Sequence, residues 1–413
     1  MNTDLNVARR QNLTIIKWLT FLMFMMFAMT TDAVGVIIPE VMKQFSLSMT
    51  AAGLMHYAPM IAIALAGILL GFLADKLGRK TTIVIGLAIF AANSYLYIIG
   101  NSFAFIITLM AVGGLSIGVF KTGALALIGD ISKSTKEHTS TMNAVEGFFA
   151  VGAIIGPFIV TYFLSNGVDW KWLYVVAGTL CIVLIIMAMM VEYPKTVKTT
   201  KEPVTLKGAL SMMKDPYAMG FSLGAFLYVS VECAIYVWMP TLISGYTGSA
   251  LFIATYALTI FFILRAVGRF IGAWLMSRFN WLMVLSIFSF LILLCFLGSV
   301  IGGIGMAVVL LPLSGLFMSV IYPTINSKGI SCFPKAQHGS VAGVILFFTA
   351  AGAAIGPLAM GAVSDAFGHD AKYGFILATV FAGLLFLGVL VNLIFNPTKL
   401  RLEKLDQSEY EIN

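Results

Sequence analysis

The ten residues Gly71-Phe-Leu-Ala-Asp75-Lys-Leu-Gly78-Arg79-Lys80 lie between two long apolar runs, Ala51–Leu70 and Thr81–Ile99. A short, sharply charged turn therefore joins two stretches, each near the roughly 20 apolar residues that a membrane span needs. Gly71 and Gly78 permit close helix approach and a tight reversal. Asp75 is placed to cap or face a helix end, and Arg79 and Lys80 hold the turn in water on the cytoplasmic side.

Composition extends that reading to the whole chain. Of its 413 residues, 60% are hydrophobic and 10% charged, with a mean hydropathy of +0.98. An average soluble domain carries roughly 25% charged residues, so an ordinary soluble fold is excluded. The net charge of +7 need not signal nucleic acid; in a membrane protein it reports cytoplasmic loops facing anionic lipid. The cysteines Cys181, Cys233, Cys295 and Cys332 lie in or beside apolar runs without metal-like spacing, so neither a disulfide framework nor a zinc site is indicated. The amino end has no signal-peptide cleavage pattern, and its first apolar run is expected to stay as a span.

Twelve spans are expected, in an all-α membrane protein. In the first set they are Thr14–Ile38, Ala51–Leu70, Thr81–Ile99, Phe103–Ile128, Met142–Leu164 and Trp172–Val191, with a polar turn at Asp130–Thr141. In the second set they are Tyr217–Ile243, Leu251–Leu275, Trp281–Leu297, Gly305–Ser327, Ser340–Val363 and Tyr373–Phe395. The longest hydrophilic stretch, Glu192–Pro216, reads as a cytoplasmic linker between an amino-terminal half (1–191) and a carboxyl-terminal half (217–413). Arg9, Arg10, Lys17, Lys76, Arg79, Lys80, Lys133, Lys136, the linker lysines, Arg278, Lys328, Lys335, Lys399, Arg401 and Lys404 fall on one face, leaving Lys43, Lys171 and Lys372 on the other. The positive-inside rule then puts both termini in the cytoplasm.

The chain repeats itself at an offset of about two hundred residues. Gly152-Ala-Ile-Ile-Gly156-Pro157 recurs as Gly352-Ala-Ala-Ile-Gly356-Pro357, Gly114 as Gly315, His138 as His338, and Pro39 as Pro240. Gly71 is echoed by Gly272, with Met276 where Asp75 would stand. Duplicated six-span halves of this kind hold substrate between them near mid-membrane in transporters built from parallel repeats.

An ionisable side chain inside a span costs at least a few kcal/mol and is a functional candidate by default. Those expected inside spans are Asp32, Lys121, Glu146, Glu232 and Arg265. Asp32 and Glu232 fall at nearly corresponding places in spans 1 and 7, where desolvation can keep a carboxylate protonated until water enters. A buried carboxylate locked in a structural hydrogen bond is the plainer alternative. Lys121 and Glu146 lie at similar depth and can form a neutral strut. Alternatively, Lys121 holds an anionic or hydroxyl-rich substrate while Glu146 responds to protons. Arg265, four residues before Arg269, is expected to anchor the cytoplasmic end of span 8. Tyr228, Tyr236, Trp238, Tyr322, Asn326, Asn143, Thr30 and Thr31 complete a candidate lining suited to a sugar ring, apolar on its faces and polar at its rim. The same residue types also serve as helix-packing glue.

The order G-x-L-A-D-x-x-G-R-K, seventy residues in and between two spans, resembles the loop between helices 2 and 3 of the major facilitator superfamily of transporters. Gly315-Leu-Phe-Met-Ser319-Val-Ile-Tyr322-Pro323-Thr324-Ile is similar to span 10 of the fucose permease-like sugar:proton symporters in that superfamily. Tyr228-Val-Ser-Val-Glu232 and Gly152-Ala-Ile-Ile-Gly156-Pro157 are similar too. The resemblance implies proton-driven uptake, with acidic residues in spans 1 and 4. This chain departs from that pattern. Lys121 aligns with the span-4 acid, Glu146 with a span-5 amide, and Asp32 sits about a turn earlier than the span-1 acid. A sugar acid or another small organic anion is therefore as open as a neutral sugar. Gly147–Pro157 also resembles the glycine–proline run of proton-driven drug exporters.

The expected function is thus proton-coupled symport by alternating access, with export of drugs or metabolites as the alternative. A transport-incompetent receptor or scaffold is a third possibility. Asp32, Glu146 and Glu232 are the candidate proton carriers. Lys121, Asn143, Tyr236, Trp238, Tyr322 and Asn326 are the candidate substrate contacts, and Asp75, Arg79 and Lys80 the candidate gate. No nucleophile–base set, phosphate loop or metal cluster points to an enzyme; Gly302-Gly303 reads as packing or a turn. The expected partners are a small solute, protons and the bilayer, for a monomer in the cell inner membrane, with no nucleic acid and no cofactor.

Overall fold

A nearly continuous apolar sequence leaves the backbone no partner but itself, and the helix satisfies every N–H and C=O within one segment. In the computed structural model, residues 2–70, 77–131, 135–194, 213–333 and 338–409 are described, and no strand occurs among them. The first helices are α1 (Asn2–Thr31), α2 (Val34–Phe45), α3 (Met49–Ala52), α4 (Leu54–Leu70), α5 (Arg79–Leu96), α6 (Phe103–Ile131), α7 (Thr135–Ser165) and α8 (Trp172–Met190). Next come α9 (Pro216–Cys233), a π-helical segment Ala234–Trp238, α10 (Met239–Ile243), α11 (Leu251–Thr255) and α12 (Ala257–Arg278). The chain then runs through α13 (Trp281–Met318), α14 (Ile321–Ser331), α15 (His338–Ala366), α16 (Ala371–Phe395) and α17 (Lys399–Glu409).

Ten stretches among the described residues are long and apolar enough to cross a membrane. One, Trp281–Ser331, covers 51 residues and takes in expected spans 9 and 10. Two helices meet in it at Gly303 (φ 68°, ψ −163°), a conformation essentially confined to glycine. Counted as those two helices, and joined by the 18-residue α5 that opens on Arg79-Lys80, the set comprises the twelve expected spans.

Several boundaries differ from the expected ones, among them those of spans 1, 7, 10 and 5. Span 1 is broken between α1 and α2, at Asp32-Ala33. The Thr30 hydroxyl bonds back to the Phe27 carbonyl at 2.9 Å, a side-chain bond that competes with the helical ladder, and the Thr31 hydroxyl lies 3.2 Å from the same carbonyl. Span 7 turns π-helical just before Pro240, whose ring would press on the carbonyl of Tyr236 in a tighter helix. Span 10 breaks at Ser319-Val320, four residues ahead of Pro323, for the same reason. Span 5 starts as a helix at Thr135, well before the apolar run begins, because leaving the bilayer does not end a helix.

The chain divides into two compact units, Met1–Ser46 with Leu54–Thr200, and Leu47–Gly53 with Lys201–Asn413. Most of the expected linker lies outside the described residues. In the first unit, Gly152 and Gly156 bring α7 onto α1 so closely that a Cβ on either would collide with the Met25 or Met29 carbonyl oxygen. In the second, Gly352 and Gly356 bring α15 onto α9, where a Cβ would lie 2.6 Å from Phe226 O and 2.7 Å from Ser230 Cβ. Gly114 on α6 and Gly315 on α13 pack in the same way, against the carbonyls of Pro59 on α4 and Phe261 on α12. Without a hydrophobic drive between helices in lipid, small residues that admit backbone contact are what bind them. The duplicated sequence is therefore a duplicated packing scheme. Within the second unit, Asp365 at the end of α15 accepts hydrogen bonds from the Met49 and Thr50 N–H groups at 3.0 and 2.9 Å, capping α3.

Candidate functional site

Each unit holds its own polar cluster where its first long span loses regularity. In the second unit the cluster centres on Glu232, one residue before the end of α9 and 7% exposed. Arg265 on α12 pairs with its Oε1 at 2.5 Å. The Tyr228 hydroxyl, one turn back, lies 3.0 Å from the same oxygen and 2.9 Å from the Met318 carbonyl, and its single proton serves one of them at a time. The Tyr322 ring on α14 stacks near the Tyr228 ring with centroids 6.2 Å apart, and Arg269 is near enough to act electrostatically on Tyr228. An ion pair and two phenols thus meet beside a π-helical turn, a feature often found at functional sites.

In the first unit Asp32 occupies the break in span 1, half-buried, with its Oδ2 accepting from the Thr31 hydroxyl at 2.8 Å. Lys121 on α6 lies within electrostatic reach of both Glu146 and Asp32, and its ammonium sits 5.7 Å from the centre of the Phe149 ring. Glu146 itself is exposed on the unit. Lys121 thus stands within electrostatic reach of two carboxylates, one from span 5 and one from span 1.

The remaining expected site residues are distributed as follows. Tyr236, in the π-helical segment, has its hydroxyl 2.6 Å from Cys233 Sγ. Trp238 is buried, and its indole N–H donates to the Pro357 carbonyl at 2.9 Å, so its polar atom is already engaged in packing. Asn326 is half-buried on α14. Asn143 belongs to α7, with its side chain outside the described residues, and Asp75 also lies outside them. Arg79 is buried. Lys80 donates to the carbonyls of Met189 and Val191 at 3.0 and 2.9 Å, placing a cation at the end of α8 as the helix dipole favours. Its ammonium also lies 5.6 Å from the ring centre of Tyr193, whose hydroxyl burial pushes up to about 12.

One candidate changes its expected role, and one feature escaped the sequence reading. Arg265, expected at a cytoplasmic anchor, instead joins the Glu232 cluster. His56 on α4 is 1% exposed and deep in the first unit; a scan for Asp, Glu, Lys and Arg passes over a histidine.

Against these observations stand the comparisons with known proteins. The Major Facilitator Superfamily model matches residues 20–357. The chain belongs to the Major Facilitator Superfamily. It is 26% identical over 406 residues to the L-fucose-proton symporter of Escherichia coli (strain K12), covering 87% of this chain and 89% of that one. It is 28% identical over 164 residues to the quinolone resistance protein NorA of Staphylococcus aureus, 40% of this chain and 42% of that one. The solved structure of nucleoside transporter NupG superposes with a TM-score of 0.73 at 15% identity, over 94% of this chain and 99% of that one, a likeness of fold. As a member of this superfamily the chain is a multi-pass membrane transporter of small molecules, not an enzyme.

Proposed function

We propose that this transporter is a proton-coupled symporter of a sugar-like or anionic small solute, working by alternating access. The observation that carries the reading is the Glu232–Arg265–Tyr228 cluster. A buried carboxylate stays charged only while partners satisfy it, and a buried pair stripped of one charge is strongly destabilised. A proton on Glu232 therefore leaves the Arg265 guanidinium in need of another anion. A solute carboxylate meets that need, so proton and solute favour one another's binding. In the first unit, Lys121 offers a second cation, with Asp32 and Glu146 as its proton-sensitive partners. Tyr322, Tyr236, Asn143 and Asn326 supply hydroxyl, ring and amide contacts for a sugar-like body.

The 26% identity with a symporter named for L-fucose and protons supports this reading over nearly the whole chain. The shorter match to a quinolone resistance protein favours a second one, proton-driven export, through the same carboxylates. The lysine and arginine distribution supports cytoplasmic termini, and a monomer in the cell inner membrane belongs to the same reading. The test is uptake of labelled L-fucose and D-glucuronate into proteoliposomes under an inward proton gradient. Accumulation of either that collapses with a protonophore supports symport. No accumulation of any sugar or sugar acid, together with proton-driven extrusion of a fluorescent lipophilic dye, would decide for export.

A further inference from the structure

A cavity of about 30 Å³ in the first unit is bordered by Thr30, Thr31, His56, Tyr97, Met110 and Tyr174, among others. That volume holds about one water, which needs two to four polar partners. The polar side chains on the cavity's border are those of Thr30, Thr31, His56, Tyr97 and Tyr174. Thr30 gives its proton to the Phe27 carbonyl and keeps lone pairs to accept with. Thr31 has one proton and two nearby acceptors, and the Asp32 carboxylate, at 2.8 Å against 3.2 Å for the Phe27 carbonyl, takes it. Thr31 therefore has one side on Asp32 and the other on a cavity that His56 shares.

We infer that this cavity is a proton relay in which His56 governs the loading of Asp32. An imidazolium at His56 passes its proton to a water in the cavity. The water passes one of its own to the Thr31 oxygen, and Thr31 passes its hydroxyl proton to Asp32 Oδ2. The imidazole and the carboxyl both end neutral, and no other atom is gained or lost. The other titratable residues that border this cavity with His56 are tyrosines. Tyr57 neighbours it on α4, Tyr97 follows α5, Tyr174 comes from α8, and the lining residues of α6 (Met110, Gly113, Gly114, Ile117) do not titrate. Lys121 on α6 lies within electrostatic reach of Asp32. Tyrosines ordinarily titrate near pH 10, so the exchange between pH 5 and 8 runs between the histidine and the aspartate. His56 is thus a positioning residue for proton coupling, and the inference rests on the symport reading only for its consequence in transport.

The test uses the full chain in lipid nanodiscs with ¹⁵N-labelled histidine. His56→Gln identifies the His56 resonance among the four histidines. The relay predicts that Asp32→Asn lowers the His56 titration midpoint by about one pH unit or more, the size of an opposite charge removed from nearby. Thr31→Val, which breaks the bridge while keeping the shape, changes the rate of exchange at His56. A midpoint that Asp32→Asn leaves in place overturns the proposal, whatever solute is carried. In proteoliposomes, His56→Gln shifts the pH profile of solute uptake, and an unchanged profile counts equally against the relay. Failure of the wild-type protein to accumulate any solute would instead strike the symport reading, while the spectroscopic arm still decides the relay.

Discussion

Asp32 and Glu232 stand at nearly corresponding places in a duplicated sequence, yet their surroundings differ. Glu232 is held tightly: one guanidinium, one phenol, 7% exposure, and a π-helical turn directly after it. Asp32 is held loosely: it sits in an open break, half-buried, tied to its neighbour Thr31 and sharing Lys121 with an exposed Glu146. The shared scaffold is the glycine-mediated packing of α7 on α1 and of α15 on α9. The divergence is in the charges placed upon it. The repeat thus sets where an ionisable group stands, and the residues around it set how tightly it is held. A tightly paired carboxylate suits a switch that must break to act, whereas a loosely held one suits exchange with water.

The largest effect expected is on the tight side. Arg265→Leu strands Glu232 and should cost about 3–5 kcal/mol, read as a fall in the thermal unfolding midpoint of the purified protein, with much of it recovered on adding Glu232→Gln. Lys121→Met should cost less than about 1 kcal/mol, since Asp32 keeps its bond from Thr31 and Glu146 is exposed. Equal losses would erase the contrast between the clusters. Next comes the scaffold. Gly156→Ala and Gly356→Ala should each cost roughly 1–3 kcal/mol by overpacking, the first more because a fixed carbonyl stands in the way. If both are neutral in the same unfolding assay, close helix contact is not what holds the units. Third, Lys121→Met should weaken D-glucuronate uptake about tenfold, roughly 1.4 kcal/mol, and L-fucose uptake less. An equal loss for both removes the anion-holding role. Smallest in stability is Asp32→Asn, within about 1 kcal/mol of wild type because an amide oxygen still accepts from Thr31, although proton-driven accumulation should be lost. A drop matching that of Arg265→Leu would mean that Asp32 is a structural strut.

Much of the fold was legible because hydropathy and the bilayer constrain the same variable, the length of an apolar run. The repeat was legible too, since Gly152, Gly156, Gly352 and Gly356 serve backbone contacts that tolerate nothing larger. What hydropathy could not register were irregularities inside a run. The break at Asp32-Ala33, the π-helical segment Ala234–Trp238 and the break at Ser319-Val320 leave the mean apolarity unchanged. Pro240 and Pro323 were the available signals for the last two. The Glu232–Arg265 pair was not legible because it depends on how two helices are rotated toward each other, a quantity no single-span pattern carries. His56 was visible as a histidine in an apolar run; only its burial beside a cavity gives it weight.

The central claim is that intramembrane carboxylates with cationic partners take up a proton as solute moves. The most direct measurement is of proton flux in proteoliposomes that enclose a pH-sensitive dye, driven only by an imposed L-fucose or D-glucuronate gradient. Wild-type protein should acidify the lumen as solute enters, and Glu232→Gln and Asp32→Asn should each abolish the signal. Solute entering at the wild-type rate with no change in lumenal pH would contradict the account.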